Sequence, residues 1–307
     1  EAMGVRLRLS QTIGSPLDSL LVDAGADSLI ALALRAICDR NSRVITSAGT
    51  YPTFGYFAEG QGCAVHEVAY REREGVLAPD LEALARAAHS HQARLVYLAN
   101  PDNPSGHLHG DEAIGALRHA LPDACTLLLD EAYHDFRTDF RKDPGSSVAE
   151  QVHPGVVRLR TLSKAHGLAG LRIGYMIAEP ELIGVMHKVR IHYAVSSLSL
   201  AAAEILLDHP DETRQHIQDV IERRNRLAHW LRALGADVLD SATNFVAIRL
   251  PSSQLAQRIH GELLDAGSLI HRPPHPALGH VLRISAVEDA LVPGRLAALD
   301  RALRSTA

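Results

Sequence analysis

Apolar positions recur at helical spacing over residues 27–38, "DSLIALALRAIC", which predicts an amphipathic helix entered through a bend at Gly25 and capped by Asp27. Short apolar runs follow at 43–49, 64–70, 93–99, 125–130 and 155–163, each of strand length. Between them, residues 78–90 and 111–121 repeat apolar positions with helical period, and "TYPTF" at 50–54 reads as a loop broken by proline. Helical patterns return at 180–190, 197–208 and, with a heavily charged face, 211–234. The chain closes as strand 245–250, helix 255–267, strand 280–285 and helix 290–305. Alternating short strands and helices predict an α/β fold with a mainly parallel sheet. The last part predicts a small α+β domain, with the boundary at His209–Pro210 and domains of 1–208 and 209–307.

In such sheets ligands bind outside the carboxyl ends of the strands. Three polar clusters fall there: Asn100 to Ser105, Asp130 to Tyr133, and Ser163 with Lys164. Lys164 lies in "TLSKAHGLAGLRIGY", among small residues that let a ligand approach closely, with Arg172 eight positions on. An unprotonated lysine amine can form an imine with an aldehyde, although for an arbitrary lysine a surface role is the commoner reading. Asp130 ends an apolar run, where a carboxylate is costly without a partner. It can face a protonated ring nitrogen or cap the next segment. Tyr133 and Asn103 can donate to a phenolate oxygen. Otherwise Tyr133 is a core tyrosine and Asn103 closes an Asx turn. Tyr51 can stack on a flat ring or be an ordinary loop aromatic. Arg172 and Ser163, with the backbone near Gly25, Ala26 and Asp27 at a helix start, suit a phosphate. Arg283 can clamp a carboxylate bidentately or make a surface salt bridge.

Composition removes several alternatives. A formal charge of −5 without a Lys/Arg block leaves no electrostatic footprint for nucleic acid or an anionic membrane. No apolar run is long enough to span a bilayer, and the first residues lack the pattern of a signal peptide. Three cysteines (Cys38, Cys63 and Cys125) argue against a disulfide scaffold and show no metal-ligand spacing, so the expected compartment is the cytoplasm. The histidine pairs "HSH" at 89–91 and "HLH" at 107–109 read as polar surface segments, and His271 and His275 as a loop or the mouth of a substrate site. No metal is expected.

Together, "DAGADSLI", "YLANPDNPSG", "LLLDEAYHDF", "RTLSKAHGLAGLRIGY", "TNFVAIRL" and "VLRIS" resemble the fold-type I, pyridoxal-phosphate-dependent aminotransferases of class I/II, nearest the histidinol-phosphate branch. The resemblance spans nearly the whole chain. It implies a large cofactor-binding domain plus a small C-terminal one, and a homodimer with active sites at the interface. It also implies pyridoxal 5'-phosphate as cofactor, and an amino donor and a 2-oxo acid as substrates. Lys164 becomes the imine-forming lysine and proton shuttle, and Asp130 the partner of the pyridine nitrogen. Tyr133 and Asn103 bond the phenolate oxygen. Tyr51 stacks on the ring, with Phe54 as its rival. Ala26, Asp27, Ser163 and Arg172 surround the phosphate, and Arg283 takes the substrate carboxylate. The family's "NNPTG" is "DNPSG" here and its "LRITVG" is "LRISAV". Its N-terminal "NENPYG"-like segment, which shapes the substrate pocket, is expected to be missing. Candidate donors are therefore histidinol phosphate, an aromatic amino acid or a specialised one. A decarboxylase resembling the threonine-phosphate enzyme is the alternative on the same scaffold.

Overall fold

The computed structural model describes residues 2–73, 75–137 and 152–304. In chain order its elements are α1 (Met3–Ile13), β1 (Leu20–Asp23), α2 (Gly25–Ile37), β2 (Arg43–Ser47), α3 (Pro52–Gly60), β3 (Ala64–Val68), β4 (Arg71–Arg73), β5 (Val76–Ala78), α4 (Leu81–Ser90), β6 (Leu95–Ala99), α5 (Asp111–Ala120), β7 (Thr126–Asp130), β8 (Val156–Thr161), β9 (Gly174–Ile177), α6 (Pro180–Val189), α7 (Ser197–Leu207), α8 (Pro210–Ala233), β10 (Asp237–Val238), β11 (Phe245–Arg249), α9 (Ser253–Asp265), β12 (Val281–Ser285) and α10 (Pro293–Arg304).

Seven strands form the central sheet in the order β1-β9-β8-β7-β6-β2-β3. Six run parallel; β9 is antiparallel to both its neighbours. β6 and β8 are buried along their whole length, as expected for strands covered by helices on both faces. One face packs against α2 and α3 through Leu128, Val157 and Leu159, and the other against α4 and α5 through Leu127, Leu129 and Val156. A second sheet, β10-β11-β12, is antiparallel and packs its apolar side against α8, α9 and α10. The first half of α8 (Ile217, Val220, Ile221) lies instead against Tyr133, Phe136 and Phe245.

Several elements depart from the pattern-based expectation. α1 carries its buried stripe as Val5, Leu9 and Ile13, a spacing masked by the arginines between them. The "TYPTF" stretch is not a loop throughout: Pro52 starts α3, a position where its missing N–H is no loss. The last helix begins at Pro293 after a 3-10 turn, and Ser305, at its expected end, lies outside the described residues. β9 was hidden by its glycine. A Cβ on Gly174 would come within 2.9 Å of the Arg160 carbonyl oxygen and 3.0 Å of the Ala26 nitrogen. Only glycine lets β9 pass this close to the start of α2. Asp27 does not cap α2, whose N-cap is Ala24 with no side-chain bond; its carboxylate is used elsewhere. Among the described residues no helix is long and apolar enough to cross a membrane.

Candidate active site

The carboxyl ends of β6, β7 and β8 meet the start of α2 around a cavity. Its lining includes Ala26, Asp27, Tyr51, Asn103, Asp130, Tyr133, Ser163, Lys164 and Arg172. Every cofactor-site residue expected from the sequence is therefore on one wall or another of the same cavity. Arg283 lies outside it and lines a larger neighbouring cavity of about 710 Å³, which shares Tyr51 and Asn103 with the first.

Asp130 is the last residue of β7 and is 4% exposed. Tyr97, on β6, donates its hydroxyl to Oδ2 at 2.7 Å, and the Ala132 N–H donates to Oδ1 at 3.0 Å. Burial pushes the Asp130 carboxyl up to about 6 despite these bonds. A cationic ring partner would relieve that cost. Lys164 follows β8 on a turn. Its Nζ lies 5.8 Å from the Tyr133 ring centroid and forms no hydrogen bond or ion pair among the described residues. Burial, then the nearby Arg283 charge, lowers its pKa, which favours the neutral amine that imine chemistry needs. Tyr133 is buried edge-on to Phe245, at 5.3 Å between ring centroids, and burial pushes its hydroxyl up to about 12.

The anion-binding end is built at α2. Gly25 enters the helix with φ +84°, and a Cβ there would sit 2.8 Å from Arg172 Nη2. The bare glycine lets the guanidinium lie over the helix start, where first-turn N–H groups lack intrahelical partners. Arg172 Nη2 donates to Asp27 Oδ2 at 3.2 Å, and Tyr51 donates its hydroxyl to Asp27 Oδ1 at 2.9 Å. Asp27 thus joins the aromatic wall to the phosphate-sized corner. Ser163 is tied to the end of β8: its N–H donates to Thr161 Oγ1 at 3.1 Å. Of the two aromatic candidates, Tyr51 lines the cavity. Phe54 is fully buried and stacks on Tyr97, with centroids 4.4 Å apart.

Asn103 does not close a turn with its own side chain. Asp102 does so, accepting from Ser105 N–H at 3.0 Å and Ser105 Oγ at 2.6 Å, while Tyr70 donates to its other oxygen at 2.9 Å. Asn103 Oδ1 accepts from Arg283 Nη1 at 2.7 Å, so Arg283 is not in a surface salt bridge. Its guanidinium also lies 4.8 Å from the Phe245 ring centroid, and its Nε is buried without a partner among the described residues. Tyr97 and Thr161 were missed in the sequence, and Asp102 was given no role of its own within the Asn100–Ser105 cluster, because a hydroxyl or carboxylate inside a strand or turn carries no local mark of what it touches. The "HLH" segment is not a surface stretch: His109 is buried, 3.1 Å from the Pro79 carbonyl oxygen, and burial drives its pKa down to about 4. His271 and His275 do line the larger cavity. The three cysteines are buried and free.

A buried carboxylate, a lysine amine without a partner among the described residues and an arginine over a helix start, set around one cavity, match the ring nitrogen, aldehyde and phosphate of pyridoxal phosphate. The comparisons with known proteins agree. The family model for aminotransferase class I and II matches residues 8–298. Histidinol-phosphate aminotransferase 1 of Nitrosococcus oceani is 33% identical over 267 residues, covering 87% of this chain and 70% of that protein. The aromatic amino acid aminotransferase of Corynebacterium efficiens is 36% identical over 261 residues, 85% of this chain and 72% of that one. The crystal structure of histidinol-phosphate aminotransferase from Sinorhizobium meliloti in complex with pyridoxal-5'-phosphate superposes with a TM-score of 0.91 at 33% identity, covering 100% of this chain and 82% of that one. The chain belongs to the class I and II aminotransferases and is a pyridoxal-phosphate-dependent enzyme of fold type I.

Proposed function

We propose that the enzyme moves an amino group from histidinol phosphate, or from an aromatic amino acid, to 2-oxoglutarate. The observation that carries this reading is the placement of Lys164 and Asp130 at neighbouring strand ends on one cavity, with Arg283 on the adjoining one. Bound pyridoxal phosphate supplies the aldehyde and the electron-withdrawing ring. Lys164 Nζ would anchor it through the aldehyde and, once released, would carry the proton from the donor's amine-bearing carbon to the former aldehyde carbon, running the same transfer in reverse onto the acceptor in the second half of the exchange. Asp130 keeps the ring nitrogen protonated. Tyr133 and Asn103 bond the phenolate oxygen, Tyr51 covers the ring, and Ala26, Asp27, Ser163 and Arg172 form the phosphate corner.

Arg283 takes the donor's anionic group, a phosphate ester or a carboxylate. The larger cavity continues past it between Tyr51, Tyr56 and Pro273, Pro274 and Pro276, a wall suited to a planar side chain. Both named donors carry a ring and one anionic group on the carbons flanking the amine. This shared chemistry, with the two kinds of relative, favours them over aliphatic donors. We further assign the enzyme to cytoplasmic amino-acid biosynthesis as a homodimer, with domains 1–208 and 209–307.

The test is donor profiling with product analysis. Histidinol phosphate, phenylalanine, tyrosine and leucine are each supplied with 2-oxoglutarate. The reading predicts glutamate formation without carbon dioxide release, and kcat/KM highest for a ring-bearing donor. Stoichiometric carbon dioxide, or leucine as the best donor, contradicts it.

A further inference from the structure

Behind the strand ends that carry Asp130 and Lys164, three ionisable side chains are buried together. Glu131 is 2% exposed, Arg158 5% and Arg160 4%. Arg158 Nη1 donates to Glu131 Oε1 at 2.6 Å, and Arg160 Nε donates to Oε2 at 2.8 Å. Each carboxylate oxygen is thus taken by a different arginine. Burial by itself would raise the Glu131 pKa, but Arg160 and Arg158 hold it down to about 2.

Stability alone does not explain such a group. Buried ion pairs can often be replaced by apolar side chains of equal volume at no loss, because removing the charges from water costs as much as their attraction returns. Geometry supplies a reason. β7 and β8 are parallel neighbours with Asp130 opposite Leu159, and the Glu131 N–H donates to the Leu159 carbonyl at 2.8 Å. Side chains alternate along a strand. Asp130 therefore faces the cavity while Glu131 faces away, toward the side on which Arg158 and Arg160 project. One carboxylate ties the residue after Asp130 to two positions of β8, the nearer of them four residues before Lys164. Any slip or shear between the two strands would break both charged bonds.

We infer that Glu131, Arg158 and Arg160 form a clamp that fixes Asp130 relative to Lys164, and are positioning residues for proton transfer at Lys164 Nζ. This rests on the roles proposed above for Lys164 and Asp130. His134 Nδ1, 3.9 Å from Glu131 Oε1, is beyond hydrogen-bond distance and does not take the place of either arginine.

The experiment is a single-turnover reaction of the holoenzyme with saturating donor, followed by the loss of bound-cofactor absorbance and normalised to that absorbance. Glu131→Gln keeps the volume and removes the charge. Glu131→Asp keeps every charge and withdraws the carboxylate by one methylene, so it serves if the first variant does not fold. Either variant is expected to lose about 10- to 100-fold in rate, the scale of a misplacement of roughly 1 Å. The donor concentration for half-maximal rate should stay near the wild-type value. A folded variant with a lower melting temperature but a wild-type rate per bound cofactor overturns the clamp and leaves the site reading intact. A wild-type protein that gives no cofactor absorbance overturns the site reading and the clamp with it.

Discussion

At the scale of single residues, the site depends on polar groups held where water cannot reach them. Asp102 is the clearest case. Burial raises its pKa to about 6 from an ordinary 3.8, against four hydrogen-bonding groups that lower it. A carboxyl whose folded pKa is raised contributes stability that is complete below the unfolded value and is lost as pH rises through the folded one. This raised pKa corresponds to about 2 kcal/mol between pH 4 and pH 7. Asp102→Asn cannot titrate. By urea unfolding of the cofactor-free protein, its deficit against wild type should be larger at pH 4 than at pH 7 by about that amount. A deficit that does not change with pH contradicts the assignment. Arg283 makes a different prediction. Lysine keeps the charge but loses the fork that reaches both Asn103 and a donor anion, so Arg283→Lys should raise the donor KM by about tenfold or more. Cofactor absorbance should be unchanged, because Arg283 does not line the cofactor cavity. An unaltered KM places the donor anion elsewhere.

At the scale of elements, α2 and the segments around it decide whether a phosphate can be held. Gly25 occupies left-handed backbone at φ +84°, and its missing Cβ leaves the space that Arg172 fills. Gly25→Ala adds a strain of about 1–2 kcal/mol and a clash with the guanidinium. It should weaken pyridoxal phosphate binding by about tenfold in an absorbance titration; undiminished affinity would remove Arg172 and α2 from the phosphate corner. The same elements show what a sequence can disclose. The strands that end at Ala99 and Asp130 were legible because strands buried on both faces are almost wholly apolar, and α4 and α5 because their stripes keep one period. β9 and α3 were not, because glycine and proline read locally as interruptions whereas here one permits a close packing and the other starts a helix. The buried charges of β8 were passed over for a related reason. "RLR" in an apolar run looks like an edge, and only the register with β7 reveals Glu131 beneath it.

At the scale of the molecule, the mainly parallel sheet gathers residues from Ala26 to Lys164 around the carboxyl ends of its central strands, and the small β10-β11-β12 sheet brings Arg283 against Asn103. No local pattern could give this last contact, since its partners are 180 residues apart. The surface also bears on assembly. Leu198 and Ile205 on α7 are 71% and 63% exposed, and Ile191 and Tyr193 just before it 62% and 84%. This run of apolar side chains fits the homodimer proposed above. Leu198→Glu with Ile205→Glu should shift sedimentation from dimer to monomer and reduce turnover with it. A wild-type protein that is monomeric at micromolar concentration contradicts the dimer.

The most direct test of the whole account is the visible absorption spectrum of the protein titrated with pyridoxal phosphate, alongside Lys164→Ala. The account predicts a new band in wild type that survives removal of free cofactor, bleaches on adding a ring-bearing amino donor and returns with 2-oxoglutarate. It predicts no such band in Lys164→Ala. A band of equal strength in both proteins, or none in wild type, would contradict the assignment of Lys164 on which the rest stands.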